Sequence, residues 1–532
     1  MYDVIVLGSG GAGLAAALTA AVNGAHVLVL EASSRWGGST GVSAGEVWVP
    51  ANHLMEGLGV SDNAEDALEY CRPYSSEKDS SLIEKFVRSS PQMACFVEEN
   101  SPIIWKAMSS PDSFAERPGG RASGRHIEVS PLVADHEAPL EEDFWLSNHP
   151  AIFTNDEVFE LRLLLGGQIP EKLAEERVTS GMICTGIGLI VGLMQGCLAR
   201  GVKFKRKARA TRLLSSADGR IAGVVVDRGE IGEEIYCNEG VVLATGGFEW
   251  NESLRANLSD GQVTHPVSPP LHQGDGLRMV AGVGGRIEYT EDAWLWPAYA
   301  RSGQVWPGTE QTRNELMLAE RFMPHAIWVN QAGNRFVNES SHNCALALAE
   351  TGADTDSISN LPAWAIFDHQ YRSRYPLAGS LPHEELPAQV AEATSLRELA
   401  IKTGIDESGL LRTVDRFNDF VDQGRDTDYF RGQSAYDRHY GDPTSELPNL
   451  GRIERSPFFA LPVCLGTVGT KGGARIDERA RVLDAEDRPI PGLWAVGNAM
   501  ASMIGSRTIA PGLTIGLALT WGFIAGQDAS SN

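Results

Sequence analysis

Tyr2-Asp3-Val4-Ile5-Val6-Leu7-Gly8-Ser9-Gly10-Gly11-Ala12-Gly13 sets the fold of this chain. Val4 to Leu7 reads as a buried parallel strand, and Gly8, Gly10 and Gly13 form G-x-G-x-x-G at the turn into a helix. Val27 to Leu30 reads as a second strand that closes on Glu31, 23 residues after Gly8. Each part has a physical job. Gly8 makes the tight turn, Gly10 lets backbone approach a pyrophosphate, and Gly13 lets helix and strand pack closely. The helix start offers free N–H groups and a positive dipole end to phosphate oxygens. Glu31 is placed to accept hydrogen bonds from a ribose 2′-OH and to repel a 2′-phosphate. Glycines at this spacing alone are a weak signal. Here strand, turn, helix, second strand and acid fall in register and predict a dinucleotide site.

The residues after Glu31 point to FAD rather than a free nicotinamide cofactor. Arg35-Trp36-Gly37-Gly38-Ser39-Thr40-Gly41-Val42-Ser43-Ala44-Gly45 is a run of small residues and hydroxyls, suited to a surface on which a flavin lies. At the far end, Pro491-Gly492-Leu493-Trp494-Ala495-Val496-Gly497-Asn498 reads as a strand ending in a tight turn. Pro511-Gly512-Leu513-Thr514-Ile515-Gly516 then opens an apolar helix, with proline expected in its first turn. The N-terminus of that helix is suited to stabilising negative charge on a reduced flavin. A cofactor gripped from both chain ends predicts one domain built from both. No histidine precedes Thr40 in the pattern of histidyl-linked flavin, so non-covalent FAD is expected. No second complete G-x-G-x-x-G with an acid behind it supports tight NAD(P) binding.

Composition narrows the class. The 532 residues carry a formal charge of −24, which argues against nucleic acid or an anionic membrane as partner. Seven scattered cysteines contain no C-x-x-C pair, so the usual zinc and c-type haem signatures are absent, no metal site is expected, and a reducing cytoplasm suits the chain. No secretory signal precedes the first strand. The longest apolar segment, Leu513 to Ala525, is interrupted by glycine and too short to span a bilayer.

Between the ends, Asp62 to Phe96 alternates acidic and apolar residues at helical spacing, and Ser109 to Glu142 is rich in loop residues. Thr185 to Arg200 reads as an apolar helix leading to a short strand at Val202 to Lys205. Ala210 to Leu214, Ile221 to Val226 and Gly232 to Cys237 suggest a small antiparallel set. Gly240-Val241-Val242-Leu243-Ala244-Thr245-Gly246-Gly247-Phe248 is another buried strand ending in a glycine turn. From about Gly285 to Ile453 the texture changes, with scattered Trp and Pro and an amphipathic helical pair at Leu396 to Phe420. The expected architecture is α/β: a Rossmann-like FAD-binding domain from residues 1–284 and 454–532, with an inserted α+β catalytic cap at 285–453. Oligomeric state is not encoded in any of these patterns.

These motifs resemble the FAD-dependent fumarate reductase / 3-ketosteroid dehydrogenase superfamily over essentially the whole chain. The resemblance is carried by Gly8 to Gly13, Gly37-Gly38-Ser39-Thr40, Leu243 to Phe248, Gly274-Asp275-Gly276, Val329 to Glu339, Gly469-Thr470-Lys471-Gly472-Gly473 and the block from Pro491 to Gly516. The ketosteroid dehydrogenase branch fits best. It implies desaturation next to a ring ketone: a base removes the proton α to the carbonyl and flavin N5 takes a hydride from the β carbon. It also implies a cyclic ketone substrate and an external acceptor such as a quinone, another carrier or dioxygen. The predicted cofactor contacts are Gly8, Gly10, Gly11, Ala12, Gly13, Glu31 and Ala32, then Gly37, Gly38, Ser39 and Thr40. To these are added Ala210, Ala244, Thr245 and Gly246, and finally Gly497, Asn498, Gly512, Leu513 and Thr514.

The catalytic positions depart from the branch. Where steroid 1-dehydrogenases have tyrosines, this chain has Ser113 in the loop ahead of Pro118-Gly119-Gly120, Asn343 after Asn338-Glu339, and Thr508 four residues before Gly512. Gly512, whose N–H is implied to bond the ketone oxygen, is present. Arg507 stands within one place of the arginine that fumarate reductases use, without their histidine. The substrate expected is a 3-ketosteroid or a smaller ring: arginine's planar fork suits a carboxylate, so a substrate with both a ring ketone and a carboxylate, an oxo-cyclohexanecarboxylate, would use Gly512 and Arg507 together. Tyr299 and His342 are the candidate bases. A flavin-dependent enone or enoate reductase and a non-catalytic flavoprotein are the alternative readings.

Overall fold

The computed structural model describes residues 1–134, 140–148, 151–227, 229, 232–261, 263–350 and 360–531; part of the loop-rich stretch expected at Ser109 to Glu142 falls outside these. The chain begins with β1 (Tyr2–Leu7), α1 (Gly11–Val22) and β2 (Val27–Leu30). α2 (Thr185–Ala199) then leads into β3 (Lys203–Lys205), β4 (Ala210–Ser215), β5 (Ile221–Val226) and β6 (Glu233–Leu243). β6, β1, β2 and β3 pair in that order, all parallel. Val4 to Leu7 and all of β2 are buried, as expected of strands covered on both faces. β4, β5 and the first half of β6 form an antiparallel set. The expected strands at Gly232 to Cys237 and from Gly240 are one continuous strand: its first half pairs with β5 and its second half with β1.

The second sheet has β7 (His265–Pro266), β8 (Ala293–Val305), β9 (Thr312–Leu316), β10 (Ala326–Asn330), β11 (Ala363–Asp368), β12 (Ala391–Ala393) and β13 (Phe458–Thr470). Its order is β9-β8-β13-β11-β10, with β7 and β12 also on β13. Only β7 pairs in parallel; every other pair is antiparallel. The sheet therefore reaches beyond residues 285–453 at both ends. Its outer face is covered by the expected helical pair, Leu396–Thr403 and α3 (Glu407–Asp422), which packs Leu399, Leu410, Val414 and Phe417 on Ile327, Val329 and Ile366.

The chain then returns to the first sheet. β14 (Arg481–Leu483) and β15 (Pro489–Ala495) extend it, β15 lying parallel to β6. The last helix, α4 (Leu513–Ala529), packs along α1 at backbone distance. A Cβ on Gly522 would lie 2.3 Å from the Ala12 carbonyl oxygen, and one on Gly526 2.6 Å from that of Ala16. Glycines at i and i+4 are what bring the two ends of the chain together. Among the described residues no helix is long and apolar enough to cross a membrane.

Candidate active site

The nucleotide end is built from backbone. Gly8 has φ +113° and donates its N–H to the Leu30 carbonyl at 2.8 Å, which closes β1 onto β2. A Cβ on Gly13 would stand 2.1 Å from the Gly8 carbonyl oxygen, so the helix can approach the turn this closely only as glycine. Gly10 caps α1 without any side-chain hydrogen bond, which leaves the first amides of the helix free for a ligand apart from Gly11 N–H, bonded to Thr40 Oγ1 at 3.2 Å. A Cβ on Gly10 would meet nothing closer than 3.9 Å, and one on Gly38 would meet only Gly10 Cα at 3.8 Å: the two glycines face one concavity. Glu31, at the end of β2, is held by Ser9 N–H at 3.0 Å and Ser9 Oγ–H at 2.6 Å on one oxygen and by Ser33 N–H at 2.8 Å on the other. Ala208 N–H donates to the Glu31 carbonyl at 2.9 Å, which carries Ala210 to the same end of the sheet.

A second polar cluster borders this cradle. Gly246 leaves room for His272, whose Cδ2 would lie 2.3 Å from a Cβ there. His272 Nδ1 is 2.9 Å from Glu249 Oε1, and Ser268 Oγ–H donates to the same oxygen at 2.6 Å. Burial works against the imidazolium, but the Glu249 carboxylate outweighs it and holds His272 above its ordinary value. Thr245 Oγ1, Thr470 Oγ1 and Glu249 Oε2 are buried with no protein partner. Orphaned hydroxyls beside a glycine cradle fit a polar ligand in contact with Thr245 and Gly246.

The N-terminus of α4 lies at the other end of the site. Gly512 caps it at φ +69°, and a Cβ there would fall 2.6 Å from the Glu46 carbonyl oxygen. Pro511 precedes the cap rather than lying in the first turn, because the left-handed cap conformation excludes proline and favours glycine. The three substituted positions meet just before it. Thr508 N–H donates to Asn343 Oδ1 at 2.7 Å and Asn343 Nδ2–H returns a bond to the Thr508 carbonyl at 2.8 Å. Ser113 N–H donates to Ile509 O at 3.0 Å, and Ser113 Oγ and His342 Nδ1 share a hydrogen bond of 2.5 Å. His342 stacks on Tyr436 at 5.2 Å and 6°, with Trp296 edge-on at 5.1 Å. Burial first, and the nearby Arg321 second, keep its imidazole well below the usual value and neutral.

Arg321 organises this wall. It lies over Trp296 at 4.5 Å and donates to the Tyr436 hydroxyl at 3.1 Å and the Ser341 carbonyl at 2.8 Å. Tyr440, one turn beyond Tyr436, completes the aromatic face at 4.8 Å. No sequence motif singles out Arg321, Tyr436 or Tyr440, although Tyr436 and Tyr440 stand at i, i+4 on the short helix Ala435–Tyr440. Tyr299 does not join them. Its hydroxyl donates to Glu315 at 3.3 Å, and Gly379 and Arg301 lie beside it. Burial, then Glu320 and Glu315, drive its phenol far above the usual range, which makes it a poor proton acceptor near neutrality. Contrary to the expectation from sequence, Tyr299 is not placed to act as the base, because β8 turns it toward Glu315 and not toward Ser113 and His342.

Arg507 lies on an anchored loop. The buried Lys471 ammonium bonds the Gly505 carbonyl and, at 3.3 Å, that of Arg507, and sits 4.1 Å from the centre of Trp294. Burial brings Lys471 down to about 7, with Asp292 opposing the fall. Arg507 itself is exposed and its guanidinium has no hydrogen-bonding or ion-pair partner among the described residues; burial raises the Tyr74 phenol, and Arg117 and then Arg507 lie close enough to oppose that rise. Tyr74 stacks on Phe114 at 5.2 Å, and the Arg117 guanidinium lies 5.6 Å from the centre of the Phe114 ring.

The model of the FAD binding domain family matches residues 3–512. The chain belongs to this family. FAD is its cofactor, and the chain is an FAD-dependent oxidoreductase. Across 100% of its length it is 35% identical to the 3-oxosteroid 1-dehydrogenase of Mycolicibacterium smegmatis, 97% of which is covered. It is 36% identical to the 4-oxocyclohexanecarboxylate 2-dehydrogenase of Sinomonas cyclohexanicum, over 99% of this chain and 92% of that protein. Its fold is similar to that of the 3-ketosteroid delta1-dehydrogenase of Sterolibacterium denitrificans, with a TM-score of 0.89, 29% identity, and 100% and 99% of the two chains covered. The cradle fits FAD by its own chemistry: free helix amides, the Gly10/Gly38 concavity, the fixed Glu31 carboxylate and the orphaned Thr245 hydroxyl. Among the described residues no group of three or more His, Cys, Asp or Glu is arranged to hold a metal ion.

Proposed function

We propose that the protein desaturates a cyclic ketone at the carbon pair next to the carbonyl, and that its substrate is a compact ring bearing a carboxylate rather than a steroid. The observation that carries the reading is the junction of the Asn343–Thr508 pair with the unpaired Arg507, immediately before the Gly512 cap. The similar identity to the steroid and the oxocyclohexanecarboxylate enzymes supports the ketone and leaves the ring open. The cation on the neighbouring residue supports the carboxylate.

Bound FAD supplies the acceptor for the hydride leaving the β carbon. The protein does the rest. Gly512 N–H, at the positive end of α4, donates to the ketone oxygen and stabilises the negative charge that develops there. Trp296, His342 and Tyr436 give the ring a flat, largely dry wall, and Arg507 clamps the carboxylate with two parallel N–H bonds. In this reading the first sheet and α4 form the cofactor domain, the second sheet forms an inserted cap, and FAD is held without a covalent bond. A quinone, another carrier or dioxygen takes the electrons onward.

Incubation with 4-oxocyclohexanecarboxylate and an artificial electron acceptor tests this. A product two mass units lighter, with the absorbance of a conjugated enone, is the expected outcome. If the dithionite-reduced protein instead reduces enones or enoates while no saturated ketone is consumed, the reaction runs in the opposite direction and the desaturase reading falls.

A further inference from the structure

The seam between the Gly512 cap and the wall of Trp296, His342 and Tyr436 borders an ionisable group to which the desaturase chemistry has assigned no role. Glu46 lies between the glycine-rich loop after β2 and Trp48, and its backbone is packed on Gly512, where the ketone oxygen is bound in the proposed reading. The residue as a whole is half-buried, yet its Oε1 is fully buried and has no hydrogen-bond partner. The carboxyl feels Glu128 on the strand His126–Val129 and Asp156 on the helix Asn155–Glu160, and Ser110 stands beside it. Across the seam its charge reaches Tyr436 and Tyr440 on the cap, the same Tyr436 that stacks on His342. His126, beside Ser110, is buried and held neutral, down to about 3. Glu128, Asp156, Tyr436, Tyr440 and His126 are all acidic or neutral, so none of them helps to keep the carboxyl charged.

We propose that Glu46 is the catalytic base that removes the proton α to the ketone, an assignment that rests on the desaturase reading. The α C–H bond breaks and its proton passes to the Glu46 carboxylate. Its electron pair forms the C=C bond as the β C–H bond breaks and a hydride, with two electrons, leaves to FAD, the oxidant. Of the titratable groups around the Gly512 cap, His342 has Nδ1 committed to Ser113 and Arg321 nearby, while Glu46 Oε1 is buried without a hydrogen-bond partner and the neighbouring Ser110 hydroxyl only partly offsets the effect of burial on the carboxyl. Burial, and then the Glu128 charge, push Glu46 up to about 8, in the range where a base is strong yet still deprotonated in part at working pH. Its proton has a way out. Glu128 is fully buried, and Lys106, half exposed, lies 3.8 Å from Glu128 and 3.5 Å from Asp156, so carboxylates lead from the seam to water.

The test is anaerobic rapid mixing of FAD-loaded wild type, Glu46→Gln and Glu128→Gln with the ketone that wild type oxidises, following flavin absorbance from pH 6 to 9.5. Expected is a limiting reduction rate at least ~100-fold lower in Glu46→Gln, with substrate affinity within ~3-fold of wild type. The wild-type rate should rise with pH through about 8, because only the carboxylate accepts a proton, and Glu46→Gln should lack that rise. Glu128→Gln, which removes a like charge, should shift the rise to lower pH. A Glu46→Gln enzyme that reduces its flavin within ~3-fold of wild type and keeps the rise overturns the assignment. Should Glu46→Gln fail to hold FAD, an unshifted rise in Glu128→Gln overturns it instead. If wild type and Glu46→Gln are equally inert toward every saturated ketone, the desaturase reading itself has failed and the base falls with it.

Discussion

The nucleotide cradle and the seam proposed to hold the substrate are made of different material. In the cradle, Gly8, Gly10, Gly13 and Gly38 place backbone atoms, and the side chain that matters, Glu31, is fixed by Ser33 two positions on and by Ser9 within the same β1–α1–β2 unit. In the seam almost every contact joins distant segments: Ser113 to His342, Asn343 to Thr508, Arg321 to Tyr436. At Gly8 and Gly13 backbone recognition tolerates little change, because a Cβ there has nowhere to go. Side-chain recognition can be rewritten one residue at a time while the frame stays. This is how a chain can keep a glycine frame and carry Ser113, Asn343 and Thr508 where the resemblance implies tyrosines.

Gly13→Val probes this contrast at its rigid end. Its Cβ would clash with the Gly8 carbonyl, so the purified protein should be colourless, with FAD affinity reduced at least ~100-fold by fluorescence titration. A yellow Gly13→Val protein would mean that the cradle is softer than its geometry. Next comes His272→Phe, which leaves Glu249 buried without its cation. Loss of the partner of a buried pair costs about 3–5 kcal/mol, read as a lower unfolding midpoint in urea. Because Glu249 is held below its ordinary value, this loss should shrink as the pH falls and the stranded carboxylate takes up a proton.

In the seam the effects are smaller and selective. Arg507→Met should weaken a carboxylated ring ketone by about 1.5–3 kcal/mol, or roughly 10- to 150-fold in KM, and leave cyclohexanone unchanged. Equal losses on both would show that the arginine supports the loop and not the ligand. Ser113→Ala should have the least effect, about 1 kcal/mol, a several-fold fall in kcat with FAD content intact, since it removes one hydrogen bond from His342 and nothing else.

The same contrast governs what is legible in the chain. The β1–α1–β2 unit, its acid, the returning β15 strand and the helical pair on the second sheet follow local patterns, and all lie where periodicity and glycine spacing predict. Pro511 stands before the cap and not inside the helix, because the capping position takes the left-handed conformation and falls to Gly512. Ser113, Asn343 and Thr508 are recognisable only through the resemblance, as replaced positions; their convergence is a tertiary fact. Glu46 and Arg321 carry no sequence signal at all. One is an acid after a glycine, the other a charge in a helix of four residues, and their environments come from segments up to several hundred positions away. Tyr299 shows the converse: an aromatic strand marks a pocket wall, but strand alternation sends Tyr299 to Glu315 while Trp296 goes to His342.

The decisive experiment is anaerobic mixing of the oxidised protein with 4-oxocyclohexanecarboxylate, cyclohexanone and a 3-ketosteroid, one at a time. A compact carboxylated substrate predicts rapid bleaching of the flavin by the charged ring, bleaching by the uncharged ring only at much higher concentration, and none by the steroid. Fastest bleaching by the steroid would refute that substrate class, and would mean that Ser113, Asn343 and Thr508 widen a steroid site instead of defining a smaller one.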